Sequence, residues 1–474
     1  MSDRRPGATT TAVLGLDLGT TEAKAALVGL DGTLHGLGRA PIPTVHGADG
    51  RAEQDPRDWW RAVATATRSI DAVRGGEVVI SAICGVGQGP TLAVLDGDAE
   101  PTRAAMTWQD RRAGAGGWGI LPKIAWLADA DPDAAAEARW LLASWDALGL
   151  WLTGEAAQTL QGHETAMAPR DLEAASVRPA QVGDALPFGT PLGALRADAA
   201  AALGVRAGIP VVAGVNDGTA SMLGAGLRVS GDAVDTGGTS GGIGIYADRE
   251  IVVPGLFAAP APLPGRWVVG GAMAATGAAV DWIRGVIGGD WSADELFAAA
   301  AAVPAGAGGL VFLPYLAGER APVFDERARG AFVGLTLAHD RAHLARAVLE
   351  GAAYSLRHVA EPLGAAGAPV RELRLAGRAS HDDTWARIKA DVLGVPVAIP
   401  AIGHTAVLGA AILGAAGTGL VADLEAGVVA MTAVDRRIEP DAGVRARYDE
   451  LFGVYRSLYP ALAPTMHALG GAPG

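Results

Sequence analysis

Ala12-Val13-Leu14-Gly15-Leu16-Asp17-Leu18-Gly19-Thr20-Thr21-Glu22-Ala23-Lys24 is the stretch on which the fold turns. Ala12 to Asp17 is a short apolar strand, Gly19-Thr20-Thr21 is a turn, and Lys24 to Leu30 is apolar again. Asp31-Gly32 then gives a second hairpin signal before Thr33 to Ala40. The motif recurs further along the chain. Asp232 to Thr236 and Ile243 to Ala247 flank Gly237-Gly238-Thr239-Ser240-Gly241-Gly242. A hairpin with a Gly/Thr tip therefore occurs twice, the pattern of a duplicated α/β unit.

Outward from these hairpins, helix and strand alternate, which predicts an α/β architecture. Asp58 opens an amphipathic helix through Trp59, Val63 and Ile70, and Val78 to Gly85 reads as a buried central strand. Ile209 to Val215 is a second buried strand, ending at Asn216-Asp217-Gly218 before a small-residue helix from Thr219 to Gly226. Helices are predicted over 341–361, from a cap at Asp382 to Gly394, and from a cap at Thr405 to Gly417. The proline-rich stretch Arg249 to Arg266 marks a boundary, giving domains at 11–248 and 249–460.

Composition narrows the class. The chain has 474 residues, half of them hydrophobic and 19% charged, with a net charge of −13. That is globular and has no basic run for sequence-independent nucleic-acid binding, so no nucleic-acid partner is expected. Cys84 is the only cysteine, so no internal disulfide forms and no cysteine metal set can be built. The segment Met1 to Thr11 carries no apolar signal core. The uncharged stretches 297–318 and 401–421 are broken by glycine or proline, so no membrane span and a cytoplasmic location are expected.

Four constellations carry chemistry. Gly19, Thr20 and Thr21 supply backbone amides and hydroxyls for an anion-binding nest, and Asp17 at the strand end can hold magnesium through water. The other reading is an ordinary hairpin with solvent-facing threonines. Gly237 to Gly241 forms a second tip of the same kind, weak alone and informative as a pair. Asp217 stands at the end of a buried strand, where α/β sheets place ligands, and can accept a hydroxyl proton; the competing reading is an Asn-Asp helix cap. Trp108-Gln109-Asp110-Arg111-Arg112 offers an indole face for a sugar's C–H surface and a carboxylate for its hydroxyls. The alternatives there are core packing for the tryptophan and a solvated loop for the arginines.

Over nearly its whole length the ordered series resembles the FGGY carbohydrate kinases. Gly330-Ala331-Phe332-Val333-Gly334-Leu335 with His343 to Glu350 follows the C-terminal signature. Leu313-Pro314-Tyr315-Leu316-Ala317-Gly318-Glu319-Arg320-Ala321-Pro322 is equally typical. Lys123-Ile124-Ala125-Trp126-Leu127 resembles the N-terminal signature, although Ala130 departs from its polar end.

The resemblance implies two ribonuclease-H-like, actin-like ATPase domains with an interdomain cleft, and ATP with Mg²⁺ as cofactors. Asp217 falls at the catalytic position, and Asp17 is the metal candidate. Gln88, Gly89, Pro90, Trp108, Asp110, Arg112 and Asn216 fall on the substrate side. Gly19, Thr20, Thr21, Lys24, Gly238, Thr239, Gly277, Asp281, Gly377 and His381 fall on the nucleotide side. The implied reaction is phosphorylation of a small sugar or polyol, a pentulose such as xylulose foremost, with a homodimer as the family-based expectation.

Two departures stand out. The family's adenosine motif opens Gly-Gly, whereas this chain has Ala376-Gly377-Arg378-Ala379-Ser380-His381, which predicts a reshaped adenine pocket. Xylulose kinases carry Gln-Met-His-Gly where this chain has Gln88-Gly89-Pro90-Thr91. These altered loops motivate an alternative, a non-catalytic sugar or nucleotide sensor on the same fold. An actin-like chaperone ATPase fits less well, since nothing in it calls for Trp108 beside Asp110.

Overall fold

In the computed structural model, the described residues are 10–75, 78–114, 119–160, 169–238, 240–287, 291–377 and 382–470. The chain divides into two compact units, the first formed by Met1–Gly226 with His404–Thr432, the second by Leu227–Gly403 with Ala433–Gly474. This division differs from the expected 248/249 boundary. The strands Asp232–Asp235 and Gly241–Ala247 pair within the second unit's sheet, and the proline-rich stretch lies inside that unit, where it supplies the edge strand Phe257–Pro260.

The first unit is built on a six-stranded sheet. Its strand order is Pro191–Ala194, Pro210–Val212, Val78–Gly87, Thr10–Leu18, Glu22–Gly29, Leu34–Pro41. Thr10–Leu18 pairs antiparallel with Glu22–Gly29, placing Asp17 opposite Lys24, and parallel with Val78–Gly87, placing Leu18 beside Gly87. Only three residues, Gly19 to Thr21, separate the first two strands, which makes the tight turn the sequence implies. The helix Pro56–Arg68 buries Trp59 and Val63 as expected. It starts earlier than Asp58, because Asp55 is its cap and accepts from the Arg57 amide, with Pro56 fixing the first turn.

A late segment completes this unit. The helix Thr405–Gly417 lies against the strand Thr10–Leu18 and the helix Asp217–Gly224 through glycines. A Cβ on Gly15 would lie 2.3 Å from the Val407 carbonyl oxygen, and one on Gly409 would lie 1.9 Å from that of Ala220. No side chain fits at either point, so backbone meets backbone. His404, rather than Thr405, occupies the cap position, without a side-chain cap bond.

The second unit has a seven-stranded sheet. Its order is Phe257–Pro260, Trp267–Met273, Gly241–Ala247, Asp232–Asp235, Glu372–Leu375, Val397–Pro400, Val434–Ile438. From Trp267–Met273 onward the pairing runs antiparallel, antiparallel, parallel, parallel, antiparallel. From Leu34–Pro41 the first unit's sheet runs through the same sequence of pairings. The duplicated unit read from the two hairpins is thus present as a duplicated topology. Among the described residues no helix is long and apolar enough to cross a membrane.

Candidate active site

In the first unit the strand ends converge on a polar wall. Asp17 is buried at the end of its strand, and its Oδ2 lies 3.3 Å from Lys24 Nζ. Its Oδ1 is buried without a hydrogen-bond partner. Burial raises the Asp17 carboxyl above its ordinary range despite the pull of Lys24. Burial depresses Lys24 less than Asp17 and Glu22 lift it, so the ammonium stays charged.

Asn216 and Asp217 follow a residue bonded to the same wall, since the Gly87 amide donates to the Val215 carbonyl. Asn216 caps the helix Asp217–Gly224 by accepting from the Thr219 amide at 2.7 Å. The helix-cap reading therefore holds for Asn216 and leaves Asp217 as the first helical residue. Asp217 Oδ1 accepts from the Gly218 amide at 2.8 Å. Burial, followed by the negative charge of Asp17, pushes the Asp217 carboxyl up to about 7. A carboxyl poised there is half ionised near neutrality and matches what a general base needs.

Gln88 continues from the strand Val78–Gly87. Its amide donates to the Leu18 carbonyl at 2.9 Å, and its side-chain Nε2 donates to Gln54 Oε1 at 2.7 Å. Gln54 in turn donates through Nε2 to the Thr20 carbonyl at 2.6 Å, and Trp108 Nε1 donates to Thr20 Oγ1 at 2.8 Å. The Gly19–Thr21 turn is thus fastened by side chains from three separate elements. The helix Ser144–Thr153 supports the loop from behind. Ser144 donates to the Gln88 carbonyl at 2.6 Å, and a Cβ on Gly89 would lie 2.6 Å from Cζ3 of Trp145. The Gly89–Pro90 peptide is cis.

Asp110 and Arg112 are bonded to each other and to the neighbouring chain. Asp110 Oδ2 accepts from the Ala52 amide at 3.1 Å, and both carboxylate oxygens accept from Arg112 Nε at 3.0 and 3.2 Å. Arg112 also donates to Glu53 and lies over the Trp126 ring at 4.6 Å. Burial works against the Asp110 charge, but bonds from Arg112 and the Ala52 amide outweigh it and hold the carboxyl below its usual range. The pair is an internal brace for the loop that carries Trp108. Trp108 itself is half-buried, its indole nitrogen engaged with Thr20.

In the second unit, the strand Asp232–Asp235 ends at the other glycine turn. Asp235 Oδ1 accepts from the Gly237 amide at 3.0 Å, and Oδ2 accepts from Lys389 Nζ at 2.6 Å. Lys389 is buried on the helix Asp383–Leu393, with its ammonium 3.7 Å from the Trp385 ring centroid. Next to this turn lies a concavity of about 270 Å³, lined by Gly237, Gly277, Asp281, Phe297, Asp382 and Trp385 among others. Its walls mix aromatic and apolar faces with a few carboxylates. Gly377 has φ +59°, and a Cβ there would sit 3.5 Å from the Thr236 carbonyl oxygen, so its bare backbone lies against the glycine turn.

The profile of the FGGY family of carbohydrate kinases, N-terminal domain, matches residues 12–116, and that of its C-terminal domain matches residues 233–418. The glycerol kinase of Gloeobacter violaceus is 32% identical over 90% of this chain and 92% of that protein. The chain belongs to the FGGY family of carbohydrate kinases. A xylulose kinase of Bacillus subtilis is similar to this FGGY kinase at 28% identity over 94% of this chain and 96% of its own length. The crystal structure of xylulose kinase from Rhodospirillum rubrum superposes with a TM-score of 0.83 at 30% identity, covering 96% of this chain and all of that one. The FGGY kinase therefore has the two-domain actin-like, ribonuclease-H-like fold, acts on a sugar or polyol, and takes its phosphate from ATP.

Asp17, Gly19, Thr20, Lys24, Gln88, Trp108, Asn216 and Asp217 come together in the first unit of the FGGY kinase, with Thr21, Gly89 and Pro90 in the adjoining loops. Gly277 and Asp281 line the concavity of the second, and Gly238 is exposed in the turn beside it. Thr239, Arg378 and His381 lie outside the described residues. Gln54, Lys389 and Trp145 escaped the sequence reading. Each meets a partner distant in sequence, as with Gln54 and Gln88, 34 positions apart, and no local spacing reveals such contacts.

Proposed function

We propose that this kinase phosphorylates a hydroxyl of a small sugar or polyol, with a pentulose such as xylulose as the leading candidate, and that Asp217 takes the hydroxyl proton. The observation carrying this reading is the Asp217 carboxyl, raised to about 7 beside the charged Asp17 and at the start of its helix. Phosphoryl transfer has a loose transition state, so positioning and charge neutralisation dominate and a modest base suffices. The Gly19–Thr21 turn, with its free hydroxyl and amides, fits the phosphate tail of the nucleotide, and Lys24 supplies a charged ammonium at its base. The concavity beside Gly277 and Asp281 fits the nucleoside end, with Phe297 and Trp385 as apolar walls.

The residues also fit magnesium. The unpartnered Oδ1 of Asp17 is the oxygen that would hold the ion through water, and such an ion neutralises the phosphate oxygens when bound. The similarity to xylulose kinases supports a pentulose as the acceptor.

The test is Asp217→Ala, assayed by coupled ADP release over ketopentoses, glycerol, tetritols and aldonates. Turnover should fall by about 100- to 10,000-fold, the range for losing a general base. Unchanged turnover would overturn the assignment of Asp217.

A further inference from the structure

Gln88 has one side-chain atom that no protein group uses. Its residue is 1% exposed, its Nε2 donates to Gln54 Oε1 at 2.7 Å and to the Gly19 carbonyl at 3.4 Å, and its Oε1 is buried without a partner. A buried acceptor left unsatisfied carries a desolvation cost that a ligand donor would remove.

The direction of this amide is not free. An indole N–H only donates. Trp59, fully buried, donates through Nε1 to Gln54 at 2.7 Å, so the Gln54 atom it meets must be the oxygen. The Gln54 nitrogen then faces the Thr20 carbonyl at 2.6 Å and Thr44 Oγ1 at 2.8 Å, and both bonds are satisfied in that sense. The same Gln54 oxygen meets Gln88, so Gln88 must present its nitrogen there. One obligate donor, two amides away, leaves the Gln88 oxygen as the unused group.

We propose that Trp59 and Gln54 are positioning residues that fix the Gln88 amide with its oxygen toward the acceptor, so that this subsite selects a hydroxyl and rejects a carbonyl, carboxylate or fluorine at the same point. The proposal rests on the acceptor-site reading above and narrows its substrate class.

The experiment compares the wild type with Trp59→Phe, which removes the donor and keeps an aromatic ring, and with Gln54→Met, which removes the oxygen that Gln88 meets. For each, acceptor KM, ATP KM and kcat are measured on the preferred acceptor and on its monodeoxy and monofluoro analogues. In both variants acceptor KM should rise about tenfold, the scale of one misdirected hydrogen bond, with kcat nearly unchanged in Trp59→Phe, which keeps the Gln54 side chain on the Gly19–Thr21 turn. The preference for the hydroxyl over fluorine at one carbon should shrink by a similar factor. Adding Gln88→Glu to Trp59→Phe should restore that preference, because both carboxylate oxygens accept and no direction has to be set.

A loss of thermal stability with the hydroxyl preference intact in both single variants would overturn the proposal, as would failure of the double variant to recover it. These outcomes are separate from retained turnover in Asp217→Ala, which would overturn the placement of the base instead.

Discussion

The Asp17 carboxylate raises the proton affinity of Asp217: burial comes first, then the charge of Asp17, and together they push the Asp217 carboxyl up to about 7. Asp217 is useful as a base only when ionised. Acceptor kcat/KM should therefore climb with pH and reach half its plateau at about 7. Asp17→Asn removes the second cause and should move that midpoint to lower pH in a pH–rate profile.

The same shift has a stability counterpart. The folded protein holds the Asp217 proton up to about 7, while an unfolded aspartate releases it near 3.8. Between those values the folded state binds more protons than the unfolded one, so rising pH costs stability. Asp217→Asn abolishes that loss. Its Tm should match the wild type near about pH 4 and exceed it near about pH 8, measured by scanning calorimetry at both.

Asp110 and Trp108 should separate cleanly despite being two residues apart. Asp110 is spent on the Ala52 amide and on Arg112, so Asp110→Asn should lower stability by about 1–3 kcal/mol while leaving acceptor KM within about twofold. Trp108→Phe loses the bond to Thr20 and part of a half-buried ring, and should raise acceptor KM. Denaturant titration alongside steady-state kinetics checks both.

Lys389→Met should leave Asp235 buried without its cation. Removing one partner of such a pair typically costs about 3–5 kcal/mol. Because Asp235 also holds the Gly237 amide, ATP KM should rise while acceptor KM stays put, read from paired substrate titrations.

Much of this was legible in the chain because it is local. The Gly19–Thr21 turn, the Asp382 cap and the Gly394 stop each depend on a few consecutive residues, and the structure has all three. Helix starts slipped where a nearer cap competed, as Asp55 with its following proline outranked Asp58. The bonds of Asp110 to Arg112 and to the Ala52 amide were not legible, because an aspartate two positions from an arginine looks the same whatever else it meets. The Trp59–Gln54–Gln88 chain was invisible, since it requires knowing which distant residues meet. The domain boundary moved for a related reason: proline content marks a connection but does not say which sheet the flanking strands join.

That the helix Thr405–Gly417 seals the first unit has a consequence for biosynthesis. On a ribosome the six strands of the opening sheet are all made before residue 213, yet one of their faces has no cover until some two hundred further residues have emerged. Maturation cannot proceed strictly from front to back. The early strands must wait for a lid encoded near the far end, and a premature stop before His404 would leave an aggregation-prone surface rather than a free-standing half.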